Sequence, residues 1–353
     1  MKKTALAVLV VAGVASPALA GGLDRSGMGI SALFQSGNYA EVGMTFAQPH
    51  VTGSIAGLSS GNMASSFFMP NMSVKMDITD RLSAMVQFEE AYGAAVDYTN
   101  ADPLYPIPPF TASLSGTQTS VLGRYRITDN IAVHAGVRMV NMSGTVDFTG
   151  GLFPITYNSS SGVGFSAGAS YEIPDIALRA AITYNSATSH NNTIVDPTGG
   201  LQTLATATGA YKMPQSINFD FQTGIAKGTL VMASVRWVDW TASTLNTQTA
   251  LGSITHARDS FTYMAGVGHK FTDNFSAVAQ VTYEPSNGLL ASNLSPTDGK
   301  IGLSLAGVLD VTDNVTVTGG VNYTRLGDAT TVTGSSFTGN YGLGGLFKVG
   351  IHF

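Results

Sequence analysis

The chain is poor in charged residues and lacks cysteine. Only 11% of its 353 residues are charged, against about 25% in a typical soluble domain. Without cysteine there is no disulfide framework and no thiolate metal site. No window holds the roughly 18 consecutive apolar residues of a transmembrane helix, since the longest apolar run is Ala5–Ala15. An apolar surface without an apolar helix favours a closed β-barrel in a membrane.

The N-terminal segment has the features of an export signal. Lys2 and Lys3 precede the short apolar run, and residues 18–20 (Ala-Leu-Ala) match an A-x-A cleavage site. We expect residues 1–20 to be a signal peptide, with a short N-terminal anchor as the alternative. Removal of the two lysines takes the formal net charge from −5 to −7. An acidic mature chain without a basic cluster argues against nucleic acid as a partner.

The mature chain alternates strictly between apolar and small or polar residues. One parity of the last segment is apolar and ends in an aromatic: Tyr341, Leu343, Gly345, Phe347, Val349, Ile351 and Phe353. The other parity is small or charged and includes Lys348. A period of two predicts a strand whose faces meet different solvents. The same test on residues 131–139 places His134 and Arg138 inside.

Short turns recur at regular intervals along the chain. Four near copies are Ile78–Arg81, Ile127–Asn130, Phe271–Asn274 and Val311–Asn314, and Pro174-Asp175 and Lys227-Gly228 fill the gaps between them. Asp, Asn and Gly suit such turns because they satisfy or relax the turn backbone. Six short turns on the side of both termini require seven long connections opposite. The sequence therefore predicts an all-β fold, a 14-stranded antiparallel transmembrane β-barrel.

Glu90 breaks the alternation of the third strand. In residues 82–93 the even positions point to lipid, which places Glu90 on the lipid face in mid-strand. Either Glu90 is protonated or snorkels, or the register shifts by a bulge within Glu89–Gly93. We favour the bulge, because Gly93 tolerates unusual backbone angles and bulges re-aim side chains. Such a kink could open a hole in the wall; the alternative is a harmless bulge near the rim.

Several short segments are similar to those of one known family. They are Gly22–Gly27, Asn38–Glu41, Met213–Ser216 before the eighth strand, Arg236–Trp240 in the ninth, and the closing Phe353. In this order, and with 14 strands, the chain resembles the FadL/TodX-type long-chain fatty-acid outer-membrane transporters over essentially the whole mature sequence.

The resemblance implies a barrel plugged by an N-terminal hatch, here residues 21–37 inside a barrel of residues 38–353. It implies capture of hydrophobic substrate on outer loops and sideways exit beside a kinked third strand, with Glu89, Glu90, Tyr92 and Gly93 at the kink. It also implies the outer membrane of a Gram-negative bacterium, with membrane lipid and the barrel-assembly machinery as partners. The hatch is shorter than the family's and lacks its Asn-Pro-Ala motif, which puts the gating mechanism in question.

Candidate substrate contacts come from apolar loops and from the plug. The loop candidates are Leu104, Ile107, Phe110, Leu152, Phe153, Ile155, Leu201 and Leu204, and the plug candidates are Met28, Ile30, Leu33 and Phe34. Exposed apolar loops suggest capture of an apolar ligand, and a packed lid is the alternative. The lumenal cations Arg124, Arg138 and Arg179 are candidates to meet a carboxylate, unless they pair with Glu41, Glu89 and Asp220.

We predict no catalytic residue, metal or cofactor. Gly164–Gly168 matches the G-x-S-x-G pattern, but a nucleophile elbow needs a strand-to-helix turn and Ser166 lies in an alternating run. The leading hypothesis is passive uptake of long-chain fatty acids or similar hydrophobic compounds. The alternatives are an aromatic-hydrocarbon channel of the same architecture, a general diffusion porin, and a barrel lipase using Ser166.

Overall fold

The computed structural model describes residues 23–148, 153–195, 207–243 and 259–353. The predicted signal peptide, residues 1–20, lies outside them. Within these ranges no helix has the length and apolar character needed to cross a membrane. The helical content described is three short 3₁₀ turns, Ser31–Phe34, Pro174–Ile176 and Trp240–Ala242.

The strands form one closed antiparallel barrel. Its strands are β1 Tyr39–His50, β2 Phe67–Asp77, β3 Leu82–Asp97, β4 Phe110–Arg126, β5 Ile131–Phe148, β6 Phe153–Ile173, β7 Leu178–Asn185 and Thr188–Val195, β8 Ala207–Met213 and Ser216–Ala226, β9 Thr229–Val238, β10 Ser260–Lys270, β11 Phe275–Glu284, β12 Lys300–Asp310, β13 Val315–Leu326 and β14 Tyr341–His352. Each pairs with its neighbours in sequence, and β1 pairs with β14 from Tyr39↔His352 to His50↔Tyr341. The prediction of 14 strands is confirmed.

Two strands are interrupted in mid-course. β7 breaks at Ser186-Ala187 and β8 at Pro214-Gln215, where proline has no N–H to donate to a ladder. The outer halves of β7 and β8 pair with each other from Thr188↔Met213 onward. Met213–Ser216, predicted to precede the eighth strand, spans the break between the two halves of β8 and leads into the half Ser216–Ala226.

The repeated turns share one hydrogen-bond pattern. The Thr79 hydroxyl accepts from the N–H groups of Arg81 and Leu82 at 3.2 and 3.0 Å, and Thr128 and Thr312 do the same in their turns. A threonine at the second position thus satisfies turn N–H groups that no strand can reach. In the fourth turn, Thr272 accepts from Phe275 N–H alone.

The two faces of the wall differ as the alternation predicts. On β5, Ile131, Val133, Val137 and Met139 are exposed on the outside. His134 and Arg138 are buried in the lumen. The outer face is therefore an apolar belt, and the polar side chains lie where they can bond one another instead of meeting lipid.

A lid covers the end of the barrel that carries the long loops. Four short strands form a small sheet there, Thr52–Ile55, Leu58–Asn62, Ala329–Thr330 and Ser336–Phe337. Beneath and beside it is an apolar core whose largest members are Tyr98, Tyr105, Phe110, Met63 and Phe337. Long loops on this rim thus pack on one another instead of extending into water.

The alternation can be tested at the centre of the belt. Ala135→Arg places a cation on the outward face of β5 midway between Ile131 and Met139, and should lower the free energy of unfolding by about 2–4 kcal/mol. Urea titration in lipid vesicles measures this, with Ala135→Leu as the control. Equal stability of the two variants would contradict the assigned faces.

Candidate functional site

The barrel wall is interrupted between β2 and β3. The two strands pair only as far as Asn71↔Glu89. Higher up, the next contact between the two sides is the bridge Ala64↔Val96. Between these contacts, residues 67–70 of β2 and residues 90–95 of β3 are not paired with each other, although β3 continues to pair with β4 as far as Asp97↔Thr111. We call this opening the wall gap.

A β-bulge at the lower edge of the wall gap turns β3. Its register against β4 runs Glu90↔Thr117 and then Tyr92↔Gly116, so Ala91 is the extra residue. An extra residue reverses which parity faces inward. Odd positions up to Glu89 are buried in the lumen, and beyond the bulge Tyr92 and Val96 are buried instead.

Glu90 lies at the upper edge of the apolar belt. The row below it on the outer face continues through Thr119 to Met139 and Val163, the last two of which are exposed apolar residues. The row of Glu90 itself continues through Thr117, Asn141 and Ser161, all polar. The predicted bulge within Glu89–Gly93 is confirmed, and Glu90 avoids the apolar belt because the belt ends one row below it on this side of the barrel.

The start of the hatch replaces the missing strand pairing. Arg25 N–H donates to the Ala91 carbonyl at 2.9 Å, and Gly93 N–H donates to the Leu23 carbonyl at 2.8 Å. Asp24 and Tyr92 form the bridge between these two bonds. The hatch thus adds a three-residue strand to β3 at the level of the wall gap, and satisfies backbone groups that β2 leaves open.

Asp24 and Arg25 hold this short strand from two directions. The Arg25 Nη1 donates to Glu90 at 2.5 Å, and its guanidinium lies 3.9 Å from the ring centroid of Phe67 on β2. The Asp24 carboxylate accepts from Nε and Nη2 of Arg236 on β9, at 2.6 and 3.1 Å. One contact spans the wall gap and the other spans the lumen. Two-point bonding between guanidinium and carboxylate adds orientation as well as energy.

Gly93 makes room for the Arg25 guanidinium. A Cβ added at Gly93 would lie 2.4 Å from Cζ and Nε of Arg25, closer than any real contact. Glycine is needed here for the close approach of the hatch side chain.

Two cavities meet at this point. A lumenal cavity of about 290 Å³ lies beneath the hatch. An open groove of about 540 Å³, the wall groove, runs beside Phe67, Phe68 and Ala95. Its lining also includes Ser113, which is exposed on the outer face of β4. Among the described residues that line them, Arg25 and Glu90 are common to both cavities.

The lumenal cavity is rich in charged side chains. Its lining includes five cations, Arg25, Arg179, Arg236, Lys300 and Lys348, and six acids, Asp24, Glu41, Glu89, Glu90, Asp220 and Glu284. Four ion pairs join most of them, Arg25–Glu90, Arg236–Asp24, Lys300–Glu284 and Lys348–Glu41. The same lining also carries apolar side chains, among them Phe34, Met69, Met232 and Leu346, so charged and apolar surfaces lie side by side in this cavity.

The structure separates the three arginines proposed to meet a carboxylate. Arg124 is paired with Glu172. Arg138 is fully buried and donates to Gln118 and to the Ser186 carbonyl. Arg179 donates to Gln222 at 2.9 Å, and of the three it alone lines the lumenal cavity.

The predicted plug residues lie on different sides of the hatch. Leu33 and Ile30 pack against Met85 and Leu122 of the wall. Met28 belongs instead to an apolar cluster with Tyr92 and Trp240. The guanidinium of Arg179 lies over the Phe34 ring, with its Cζ 4.5 Å from the ring centroid. Ile30 and Phe34 also line the lumenal cavity.

The predicted loop contacts divide between the lid core and its surface. Ile107, Phe110 and Ile155 are buried in the lid core, whereas Leu104 is 77% exposed. Phe153 begins β6. Leu152, Leu201 and Leu204 lie outside the described residues. Burial raises the pKa of the Tyr98 hydroxyl in the same core, and that hydroxyl donates to the Asn293 carbonyl.

Sequence reasoning missed two parts of this site. Leu290 and Val332 are 64% and 62% exposed on the lid, and short apolar stretches in otherwise polar loops gave no signal in the sequence. Asp24 and Arg25 belong to Gly22–Gly27, which was interpreted only through its resemblance to the known family. Their charges could have identified them, because two adjacent residues of opposite charge at the start of a plug need partners inside the barrel that the plug enters.

Trp240 completes the apolar cluster beside the wall gap. It lies 6.5 Å from Tyr92 between ring centroids, edge to face. Asp239 caps the short turn that carries it by accepting from Ala242 N–H. Burial of the Asp239 carboxyl, although slight, would by itself raise its pKa. Hydrogen bonds from Gln215, Thr241 and the Ala242 N–H outweigh this and hold the pKa of Asp239 below its usual value.

Ser166 lies within the regular ladder of β6. It is buried, and its hydroxyl donates to Asn185 at 2.6 Å. A nucleophile elbow would place it on a turn. Within the described ranges, no group of three or more His, Asp or Glu side chains is placed to hold a metal ion.

Comparison with solved structures relates the whole barrel to known proteins. A FadL homologue from Pseudomonas aeruginosa superposes with a TM-score of 0.71 at 15% identity, covering 91% of each chain. The toluene transporter TodX from Pseudomonas putida gives 0.68 at 13% identity, covering 97% of this chain and 98% of that one. This chain has the FadL-type fold.

A third structure with this fold is the toluene transporter TbuX from Ralstonia pickettii, with a TM-score of 0.60 at 12% identity over 91% of this chain and 90% of that one. No protein-family model and no curated protein sequence matches the chain. At these identities the FadL-type likeness is one of fold.

The fit between Gly93 and Arg25 can be tested directly. Gly93→Ala should push the guanidinium away from Glu90 and loosen the hatch strand, because the new methyl group occupies its place. Hydrogen exchange at the Arg25 and Gly93 amides should become faster. The matched control is Gly319→Ala on β13, where an added Cβ meets nothing within 4 Å. Unchanged exchange in the Gly93 variant would contradict the fit.

Proposed function

We propose that this protein takes up hydrophobic compounds passively across the outer membrane of a Gram-negative bacterium, with long-chain fatty acids as the leading substrates. The observation that supports this most is the wall gap, sealed from inside by the hatch strand of Leu23–Arg25. A gap in the wall lets an apolar molecule pass between the barrel interior and the membrane without crossing water.

The surface of the lid supports capture of an apolar molecule. Leu104, Leu290 and Val332 are exposed there. Hydrogen bonds hold their loops together, from the Tyr105 hydroxyl to Ser335 at 2.8 Å and from Val332 N–H to the Ala291 carbonyl at 3.0 Å. Exposed apolar side chains grouped on one surface favour apolar ligands.

The charged lumen supports a sideways route over a straight one. An alkyl chain passing the lumenal cavity would displace water from ion pairs such as Lys300–Glu284 and Lys348–Glu41. Desolvating paired charges is costly. Beside the wall gap, Tyr92 packs in an apolar cluster with Trp240 and Met142, so the side chains behind the opening are apolar.

Uptake of aromatic hydrocarbons is the second candidate. Arg124, Arg138 and Arg179 each already have an acceptor within the protein, so none of them is reserved for a substrate carboxylate. Two of the structures with this fold are toluene transporters by name. A substrate without charge would need no counter-ion in the lumen.

Deletion of Ala91 tests the sideways route. Removing the extra residue should restore a regular β3 and close the wall gap against β2, and uptake of oleate and of toluene into cells should be abolished. The barrel should remain heat-modifiable on gels. Ala91→Gly, which keeps the bulge, is the control. Undiminished uptake in the deletion variant would refute exit through the wall.

Planar-bilayer recording separates the transporter from a diffusion porin. With the hatch in place, the purified protein should carry no steady current of small ions. A stable open-channel conductance would count against the proposal and in favour of a porin.

The capture surface can be tested by polar substitution. Leu290→Asn with Val332→Asn should lower the rate of oleate uptake several-fold at low substrate concentration, because the apolar surface is lost. The control pair is Ile225→Asn with Val311→Asn, which are about equally exposed at the opposite rim. Equal rates in both double variants would exclude capture on the lid.

A further inference from the structure

Arg25 occupies the boundary between the two cavities. With Glu90, it lines both the lumenal cavity and the wall groove. Its guanidinium reaches from the hatch into the wall gap, with Glu90 of β3 on one side and Phe67 of β2 beside it. While this pair is intact, the two cavities are separated by these side chains.

The hydrogen bonding of Arg25 is incomplete. Glu90 accepts a hydrogen bond from Nη1 only, and the buried Nε of Arg25 has no acceptor among the described residues. The Arg25 side chain is only 5% exposed, so its unpaired N–H is shielded from water. A carboxylate that approached along the Nε edge could accept two parallel bonds, which is the preferred geometry for this pair of groups.

The height of the wall gap suits an amphiphile. Glu90 lies in the first polar row above the apolar belt, one row above Met139 and Val163. A molecule leaving at this level would have its acyl chain beside the belt and its head group at the polar row. Arg25 is at the height where that head group would lie.

Other arginines with a free Nε lack this position. Arg124 and Arg138 also have an unpaired Nε, but neither lines the lumenal cavity or the wall groove. A ligand in either cavity can reach Arg25 and cannot reach those two.

We propose that Arg25 is the binding group for the carboxylate of a long-chain fatty acid, and that this carboxylate joins the two cavities by replacing Glu90 on the guanidinium. The inference rests on the proposed transport function and specifies its substrate class. Glu90 is then an internal competitor, because its bond to Nη1 neutralises the same positive charge that the substrate carboxylate would bind along the Nε edge. No bond is made or broken beyond the exchange of one ion pair for another.

Binding measurements on the purified protein in zwitterionic nanodiscs test this, with oleate and oleyl alcohol as probes at pH 8.5. Arg25→Gln should weaken oleate binding about tenfold, the loss expected for a charge-assisted hydrogen bond, and leave the alcohol unchanged. Glu90→Gln should strengthen oleate binding several-fold because it removes the competitor. Lys348→Gln, which breaks an ion pair that lines the lumenal cavity only, is the matched control.

The outcomes are distinct. Equal shifts for oleate and the alcohol, or no shift in Glu90→Gln, would overturn the role of Arg25 while leaving transport intact. If the wild-type protein binds and transports neither probe nor toluene, the proposed function itself fails. Should Arg25→Gln not fold, Glu90→Gln and Gly93→Ala still decide the question, since the latter should weaken oleate binding by displacing Arg25.

Discussion

A barrel wall in hydrocarbon must satisfy its own backbone N–H and carbonyl groups, because no water is present to do so. The ladder from β1 round to β14 meets this condition by closure. Where β2 and β3 part, the carbonyl of Ala91 and the N–H of Gly93 would be left without partners, and the hatch supplies them from Arg25 and Leu23. Both groups lie above the apolar belt but are buried, so the hatch enters the wall under the more general requirement that buried backbone groups be paired.

The barrel interior and the neighbourhood of the wall gap differ in their charged side chains. Inside, ion pairs such as Asp24–Arg236 and Glu41–Lys348 line the lumen beside apolar side chains such as Phe34 and Met232. Beside the wall gap, Tyr92 and Trp240 form a buried aromatic pair, and the wall groove is lined by apolar side chains such as Phe67, Phe68 and Leu114. Under the proposed function, the wall gap offers an apolar molecule a route that avoids these ion pairs.

The apolar loop residues serve two purposes that composition does not distinguish. Ile107 and Phe110 are buried in the lid and stabilise it, at roughly 1.5–3 kcal/mol for each fully buried side chain. Leu104, a few residues earlier in the same loop, is exposed. The lid is then both a packed cover, the alternative considered from the sequence, and a surface with a small apolar area facing outward.

Period-two alternation and the repeated threonine turns were enough to determine the barrel, its strand number and the inward position of residues such as His134 and Arg138, because these depend on local geometry and on which solvent each face meets. The charged residue Glu90 on the apolar parity of the third strand also indicated where the bulge lies. Only the tertiary structure decided what Arg25 does: its partners Glu90 and Phe67 lie 65 and 42 positions away, and pairing across such distances depends on how the hatch enters the closed barrel, which no local pattern records.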